Sequence, residues 1–203
     1  VVVLPPRELV MADVAGVSRG YEQARLAALD TLSGACFAVA SVQAAAQRTM
    51  PPALLASSIV TLKAGEEAPL DELTHKLVNA GYERCAQVEG MGQFSVRGGI
   101  LDVFPPQAEH PYRVEFWDDE IDSISTFDVG SQRRLEQCET LRCLPCMEAL
   151  PSLAKGGAAG LAKAVAALAS SRRKKQHAEL QKNLERDAER LRESGTLPAA
   201  DKY

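Results

Sequence analysis

The chain has 203 residues, of which 46% are hydrophobic and 25% are charged, and this composition excludes a wholly disordered chain, a collagen-like repeat and a short disulfide-stapled scaffold. Its 23 basic and 27 acidic residues give a formal net charge of -4, so any contact with nucleic acid has to come from a local basic patch. The sequence has neither a membrane-length apolar stretch nor an apolar leader, and we therefore expect a soluble, cytoplasmic protein.

The first 56 residues alternate strand and helix signals. Residues 1–4 are a short apolar run that predicts a buried strand, and residues 37–42 predict a second short strand. Residues 18–32 have helical spacing with Ser18 as a candidate N-cap, and an alanine-rich helix ends at Pro51. This order predicts part of a parallel α/β layer. Because the chain opens directly on an apolar strand, we expect it to be a piece of a larger protein.

The next segment, residues 57–150, is predicted to be an α+β domain. Residues 58–62 form an apolar strand. Residues 69–81 predict a helix, because apolar side chains recur on one face and Gly81 stands where a helix would end. From residue 82 to about residue 143, apolar and polar residues alternate between glycine turns, which is typical of antiparallel strands.

Residues 151–203 are predicted to be helical. The apolar stripe of these helices is narrow and rich in alanine, so we expect them to need a neighbour from outside the chain. A glycine and a proline, Gly195 and Pro198, end the second helix. The apolar positions at helical spacing are Leu161, Val165 and Leu168, then Leu180, Leu184, Ala188 and Leu191.

Five cysteines, an odd count, favour reduced thiols. A metal or redox site at the C-x-x-C of residues 143–146 is disfavoured, because a proline lies inside the pair and no second pair follows. Ordinary half-buried thiols are the better interpretation. The cysteines are Cys36, Cys85, Cys138, Cys143 and Cys146.

Alternation in residues 93–128 separates an apolar face from a polar face. In the strand at residues 93–97, Phe94 and Val96 share one face and Ser95 and Arg97 the other. The strand at residues 112–117 alternates in the same way. It directs Tyr112, Val114 and Phe116 toward the helix and Arg113, Glu115 and Trp117 away from it.

The polar face has two interpretations. One helix can cover only one side of so small a sheet, which leaves Arg97, Arg113 and Trp117 for water or a partner. Arginine and tryptophan are enriched at interface hot spots. The alternative is cross-strand Arg–Glu pairing with Trp117 lying over the sheet, and spacing alone favours neither.

No catalytic or metal site is predicted. The acidic triplet at residues 118–120 is a hairpin turn rather than an ATPase box, since no phosphate-loop motif GxxxxGK[ST] occurs in the chain. Gly98 and Gly99 join strands and open no helix, so they form no phosphate cradle. The spacing supports no Ser/His/Asp or Cys/His arrangement.

Long motifs of the sheet region resemble a known family. They are Gly81-Tyr82-Glu83-Arg84, the run GQFSVRGGILDVFP at residues 92–105, PYRVEF at 111–116, DDEIDSI at 118–124, Phe127-Asp128, and SQR at 131–133. With GTLPA at residues 195–199 and the order of the earlier segments, they resemble the N-terminal, UvrB-homology module of the bacterial transcription-repair coupling factors, the Mfd family. The resemblance covers essentially the whole chain. UvrB itself is the weaker alternative. It carries a phosphate loop ahead of this region and an aromatic DNA-clamping hairpin, and this sequence shows neither motif.

The resemblance implies three segments. Residues 1–56 would be a partial RecA-like α/β domain with a degenerate nucleotide site. Residues 57–150 would be a small antiparallel sheet domain, similar to the UvrA-binding domain 2 of UvrB, and residues 151–203 a helical segment leading into the next domain. The fold class is thus α/β with α+β.

The resemblance also implies a function without catalysis. The ATP- and Mg-dependent DNA translocase motor and the RNA-polymerase-binding domain lie elsewhere in the parent chain, so this fragment is expected to be no enzyme and to hold no cofactor. RNA polymerase and duplex DNA would be partners only through those other parts. The module would recruit UvrA, in nucleotide excision repair, to sites where RNA polymerase has stalled at a lesion.

By position, the residues of the family that contact UvrA fall on Arg97, Arg113 and Trp117. Ser95 departs from UvrB, which tends to carry another arginine there. In the family this surface is covered by a C-terminal domain, and in this fragment we expect it to be open.

The rival interpretation is a nucleic-acid-binding module that uses a basic run. A solvated helix face is the favoured explanation of that run, and phosphate contacts are the alternative. The run consists of Arg172, Arg173, Lys174 and Lys175.

Overall fold

The chain forms helices and small sheets, which confirms the predicted α/β fold with α+β parts. The computed structural model describes residues 1–7, 20–32, 34, 37–171, 178–197 and 200. Its described residues fall into two compact units, the first within residues 1–148 and the second within residues 149–200. The division into segments 1–56, 57–150 and 151–203 stays a prediction. Several predicted features lie outside the described residues: Ser18, Cys36, Pro198 and the basic run Arg172, Arg173, Lys174 and Lys175.

The start of the first unit is the predicted parallel α/β piece. Strands β1 (Val2–Leu4) and β2 (Ala38–Ala40) pair in parallel, and Leu4, Ala28 and Ala44 are buried together beside them. The prediction of a buried strand at residues 1–4 is wrong except at Leu4, because Val1 and Val3 are exposed. The Ser41 hydroxyl accepts the Ala44 N–H at 3.1 Å and so caps a helix. The elements are β1 Val2–Leu4, α1 Gly20–Thr31, β2 Ala38–Ala40, α2 Val42–Ala46 and α3 Pro52–Ser58.

The centre of the first unit is a six-stranded sheet whose strands follow chain order. All neighbours are antiparallel except the first pair, which is parallel. Gly98 and Asp118 have positive φ values of 60° and 57° in two of the tight turns. The strands are β4 Glu83–Arg84, β5 Gln93–Arg97, β6 Ile100–Val103, β7 Tyr112–Trp117, β8 Glu120–Phe127 and β9 Arg134–Cys138.

The strand predicted at residues 58–62 forms as β3, Val60–Lys63, but it belongs to a separate sheet. It pairs antiparallel with β10, Thr140–Cys143. The apolar pattern of β3 carries no information about a partner so far along the chain. The pairing therefore could not be read from local sequence.

Helix α4, Leu70–Asn79, packs against one face of the six-stranded sheet. Its Leu73 and Leu77 are buried, as the helical spacing predicted, and Gly81 follows at φ 88°. Fully burying such a side chain contributes about 1.5–3 kcal/mol relative to exposure. The sheet residues fully buried in this core are Phe94, Leu101, Val103, Val114, Ile121 and Ile124.

The second unit contains two long helices that pack on each other, α5 Gly157–Ser171 and α6 Ala178–Ser194, after a short 3₁₀ helix at Pro151–Leu153. Small residues allow the two helices to pack closely on each other, and the expectation that they need a further neighbour from outside the chain stays a prediction. Leu168 and Leu180 were predicted in the apolar stripe but are each 47% exposed. The buried contact consists of Ala162, Val165, Ala169, Leu184, Ala188 and Leu191.

Candidate functional site

Two cross-strand rows of side chains line the sheet face opposite α4. The pairing register of the strands places the side chains of each row directly opposite one another. Because side chains alternate between the two faces, the second row on this face lies two residues along each strand from the first. The structure places Arg97 and Arg113 on this polar face, as the alternation predicted, while their role in binding stays a prediction. The rows are Ser95, Asp102, Arg113 and Ser125, then Arg97, Ile100, Glu115 and Ser123.

Asp102 joins the two arginines. Its Oδ1 accepts Arg113 Nε–H at 2.7 Å, and its Oδ2 accepts Arg113 Nη2–H at 2.8 Å and Arg97 Nη2–H at 2.7 Å. Asp102 is 1% exposed. A buried carboxylate is costly unless it is paired, so these contacts hold both guanidinium groups against the sheet.

Arg113 is held on further sides as well. Its Nη2 also donates to Gln132 Oε1 at 3.2 Å, and its guanidinium lies 4.5 Å from the ring centroid of Phe127. Only 18% of the Arg113 side chain is exposed, against 50% for Arg97. Hydrogen bonding to Asp102 raises the pKa of Arg113 above its ordinary value, so its positive charge is permanent.

Glu115 belongs to a separate ion pair. Its Oε2 accepts the Ser123 hydroxyl at 2.8 Å and lies 2.7 Å from Arg134 Nη2. The hydrogen bonds from Ser123 and then Arg134 lower the pKa of this carboxyl. The predicted alternative of Arg–Glu pairing thus occurs with Arg134, whereas Arg113 pairs with Asp102.

Trp117 stands apart from the arginines. It is 81% exposed, so it does not lie over the sheet as the alternative predicted. It precedes the turn at Asp118 and lies four residues along β7 from Arg113, which is about 13 Å at the usual strand rise. The structure therefore brings the two arginines together and leaves the indole at the hairpin tip.

Loops cover one end of the polar face. A small apolar cluster forms there around Phe127, whose ring lies against Arg113. Among the described residues, the end of the face that carries Arg97 and Trp117 is exposed, as expected, whereas the other end is covered and the expectation of an open face is wrong there. The cluster consists of Val88, Phe104 and Phe127, with Cys85, Ala108 and Val129 packed against them.

Sequence reasoning missed Asp102 and Gln132. The signal for Asp102 was available, since a carboxylate interrupts the apolar run Ile100–Val103, and the two-residue turn Gly98-Gly99 sets it opposite Ser95. Gln132 had no such signal. It reaches Arg113 because the loop after β8 folds back, with Gln132 at φ 60° and Ser131 hydrogen-bonded to Asp128.

The C-x-x-C thiols are more deeply buried than predicted. Cys143 and Cys146 are at most 1% exposed, while Cys85 and Cys138 are half-buried. Burial raises the pKa of Cys143 to about 12, which disfavours its thiolate. The Tyr82 hydroxyl beside them donates to the Leu144 carbonyl at 2.7 Å. Among the described residues, no three His, Cys, Asp or Glu side chains are grouped so that they could hold a metal ion.

None of the described helices combines the length and the apolar character that a bilayer span needs.

This sheet lies in the part of the chain that comparison with known proteins matches to a described family. Residues 60–148 match the family described as "UvrB interaction domain", a range that contains α4, the six-stranded sheet and the arginine pair. The transcription-repair-coupling factor of Bacillus subtilis is 34% identical over 209 aligned positions, which cover all of this chain and 18% of that protein. That of Escherichia coli K12 is 43% identical over 102 positions, covering 50% of this chain and 9% of that protein.

The protein of the same name from Staphylococcus aureus USA300 is 49% identical over 80 positions, covering 39% of this chain and 7% of that protein. The chain thus spans less than a fifth of the length of these relatives. It is similar to a segment of the transcription-repair-coupling factors, and its residues 60–148 match the UvrB interaction domain family.

Proposed function

We propose that this chain is a docking module that binds UvrA through the polar face of its six-stranded sheet and so serves transcription-coupled DNA repair. The observation that carries the proposal is the pair Arg97 and Arg113, fixed side by side on the face opposite α4. The family match and the name of the relatives support the repair context. UvrA is the partner that the motif resemblance implies.

The chemistry of the face fits an acidic partner surface. Arg97 is half exposed, and its Nε and Nη1 make no hydrogen bond in the described part of the chain. A partner carboxylate can therefore bind there without displacing Asp102. Trp117 offers a large, exposed aromatic surface at the edge of the same face, and such side chains often anchor interfaces.

Catalysis is not part of the proposed role. The chain carries no phosphate-loop motif, and the matched region is a UvrB interaction domain. We expect no ATP hydrolysis by this chain alone. In the parent protein, ATP use and contact with RNA polymerase would belong to segments outside it.

Calorimetric titration of the chain with purified UvrA tests the proposal. Arg113→Ala is expected to raise Kd at least tenfold, about 1.4 kcal/mol, because it removes one guanidinium group from the docking face and takes from Asp102 a partner that holds the arginine pair in place. Arg142→Ala is a control for the loss of an arginine–carboxylate pair elsewhere: Arg142 pairs with Asp30 and lies in the other antiparallel sheet, although it is 50% exposed against 18% for Arg113.

The proposal predicts that Arg142→Ala binds UvrA like the unaltered chain. Absence of UvrA binding by the unaltered chain would refute the proposal. Equal losses for Arg113→Ala and Arg142→Ala would also refute it, because the effect would then not be specific to this face.

The nucleic-acid alternative stays a prediction, because Arg172, Arg173, Lys174 and Lys175 lie outside the described residues. A gel shift with duplex DNA at several salt concentrations distinguishes it. Phosphate contacts give a steep fall of affinity with salt, and we expect only weak, non-specific binding.

A further inference from the structure

We infer that Asp102 is a positioning residue that makes one rigid unit of the two arginines, in which Arg97 contacts the partner and Arg113 is the fixed support. This inference rests on the proposed function, since it assigns roles within the same site. It goes beyond that function because it divides the work between two arginines that the motif treats alike.

Asp102 has the geometry of a shared acceptor. Each of its carboxylate oxygens accepts a hydrogen bond from Arg113, and Oδ2 also accepts one from Arg97. The neighbours Leu101 and Val103 are fully buried in the core and fix the backbone of β6 at this point. Because Asp102 itself is buried, its carboxylate has no water to replace an arginine that moves away.

Arg113 is immobilised before any partner arrives. Its Nε and Nη2 are engaged by Asp102 and Gln132, and Phe127 lies against the plane of its guanidinium. Its rotamer freedom is therefore lost on folding and not on binding, which lowers the entropy cost of association. With 18% of the side chain exposed, Arg113 offers a partner little more than Nη1.

Arg97 has the opposite character. Within the described part of the chain only its Nη2 is engaged, by Asp102, and half of its side chain is exposed. The two guanidinium groups and the single carboxylate leave a net charge of +1 on the unit. This charge suits one partner carboxylate, which can accept a charge-assisted hydrogen bond from Arg97 Nη1 or Nε while Nη2 stays on Asp102.

The test is a double-mutant cycle of Asp102→Asn and Arg97→Ala, measured as UvrA affinity. Asp102→Asn keeps the volume but removes the charge and one acceptor oxygen. We expect about a tenfold higher Kd for it and for Arg97→Ala, and a double variant little weaker than either single one, because residues that act as a unit are not additive. Asp30→Asn is the matched control and is expected to leave Kd unchanged, since Asp30 binds Arg142 in another part of the unit.

A second readout separates positioning from general damage. The Arg113 Nε–H is expected to exchange slowly with solvent in the unaltered chain and at least tenfold faster in Asp102→Asn, as seen by ¹⁵N NMR without UvrA. If Asp102→Asn does not fold, Gln132→Ala replaces it, because it removes the bond to Arg113 Nη2 and leaves the buried charge in place. We expect about a fivefold higher Kd for that variant, the effect of one lost hydrogen bond.

The outcomes are distinguishable. UvrA affinity that is unchanged in Asp102→Asn, or in Gln132→Ala where that variant replaces it, would overturn the inference and leave the proposed function standing. Strictly additive losses in the cycle would do the same. If the unaltered chain does not bind UvrA, the proposed function fails, and the exchange rate of Arg113 Nε–H alone then decides whether Asp102 positions it.

Discussion

Replacing Glu148 by alanine is expected to be among the most damaging single changes in the first unit. Glu148 Oε2 accepts Arg25 Nε–H at 2.9 Å, and the two side chains are 2% and 0% exposed. Its Oε1 accepts the Met50 N–H at 3.0 Å, while Arg25 Nη1 donates to the Pro5 carbonyl at 2.8 Å. One carboxylate thus ties α1 and the chain before α3 to the segment after β10.

The expected loss of folding stability follows from the burial of the Arg25–Glu148 pair. Within the part of the chain that the structure describes, Glu148→Ala leaves the Arg25 cation with the Pro5 carbonyl as its hydrogen-bond partner, and Arg25 Nη2 has none there. Breaking a buried ion pair in this way costs about 3–5 kcal/mol. Whole domains are stable by about 5–15 kcal/mol, so the variant is expected to be partly unfolded or close to it.

Urea unfolding of the full chain, followed by far-UV circular dichroism, measures this loss. Arg25→Met combined with Glu148→Leu is expected to be more stable than Glu148→Ala, because well-packed apolar replacements remove the orphaned charge. Asp30→Asn, which breaks a half-exposed pair, is expected to lose at most about 1 kcal/mol. A similarly small loss in Glu148→Ala would refute the reasoning.

Three further predictions concern pH and packing. The raised pKa of Cys143, about 12 in the folded chain against an ordinary 9.0, makes stability fall as pH rises from 9 toward 12, and Cys143→Val should flatten this fall in alkaline unfolding curves. The pKa of Glu115 is lowered from its ordinary value of 4.5, so its carboxylate stabilises the fold fully at pH values above 4.5. This contribution is lost as the pH falls below 4.5 and through the folded-state pKa, and Glu115→Gln should therefore reduce the acid dependence of the melting temperature. A Cβ at Gly160 would lie 2.1 Å from the Lys155 carbonyl oxygen, so Gly160→Ala should destabilise the second unit by about 1–3 kcal/mol in thermal melts; an unchanged melting temperature would contradict it.

The polar face could be predicted from sequence because strand alternation is a local property. The order of side chains in β5 and β7 was enough to separate Arg97 and Arg113 from the core. The contact of both with Asp102 depends on register, which the turn at Gly98 sets and which alternation alone does not give.

Other features could not be predicted, for physical reasons. The pairing of β3 with β10 and the burial of Arg25 against Glu148 join residues far apart in the chain. Alternation predicted only that Arg113 and Trp117 share a face, and it did not indicate that Trp117 stands at the hairpin tip, away from the arginines. The narrow, alanine-rich stripe did not indicate that the two C-terminal helices pack on each other, a contact that their small residues make.

The chain contains a single tryptophan, and this allows the most direct test of the proposed docking face. When 5-fluorotryptophan replaces Trp117, the chain gives one ¹⁹F resonance, which can be followed while unlabelled UvrA is added. Docking on the polar face predicts a saturable shift or broadening of that resonance, weakened by Arg113→Ala and unaffected by Arg142→Ala. A resonance that stays unchanged at saturating UvrA would contradict the proposal that UvrA binds this face.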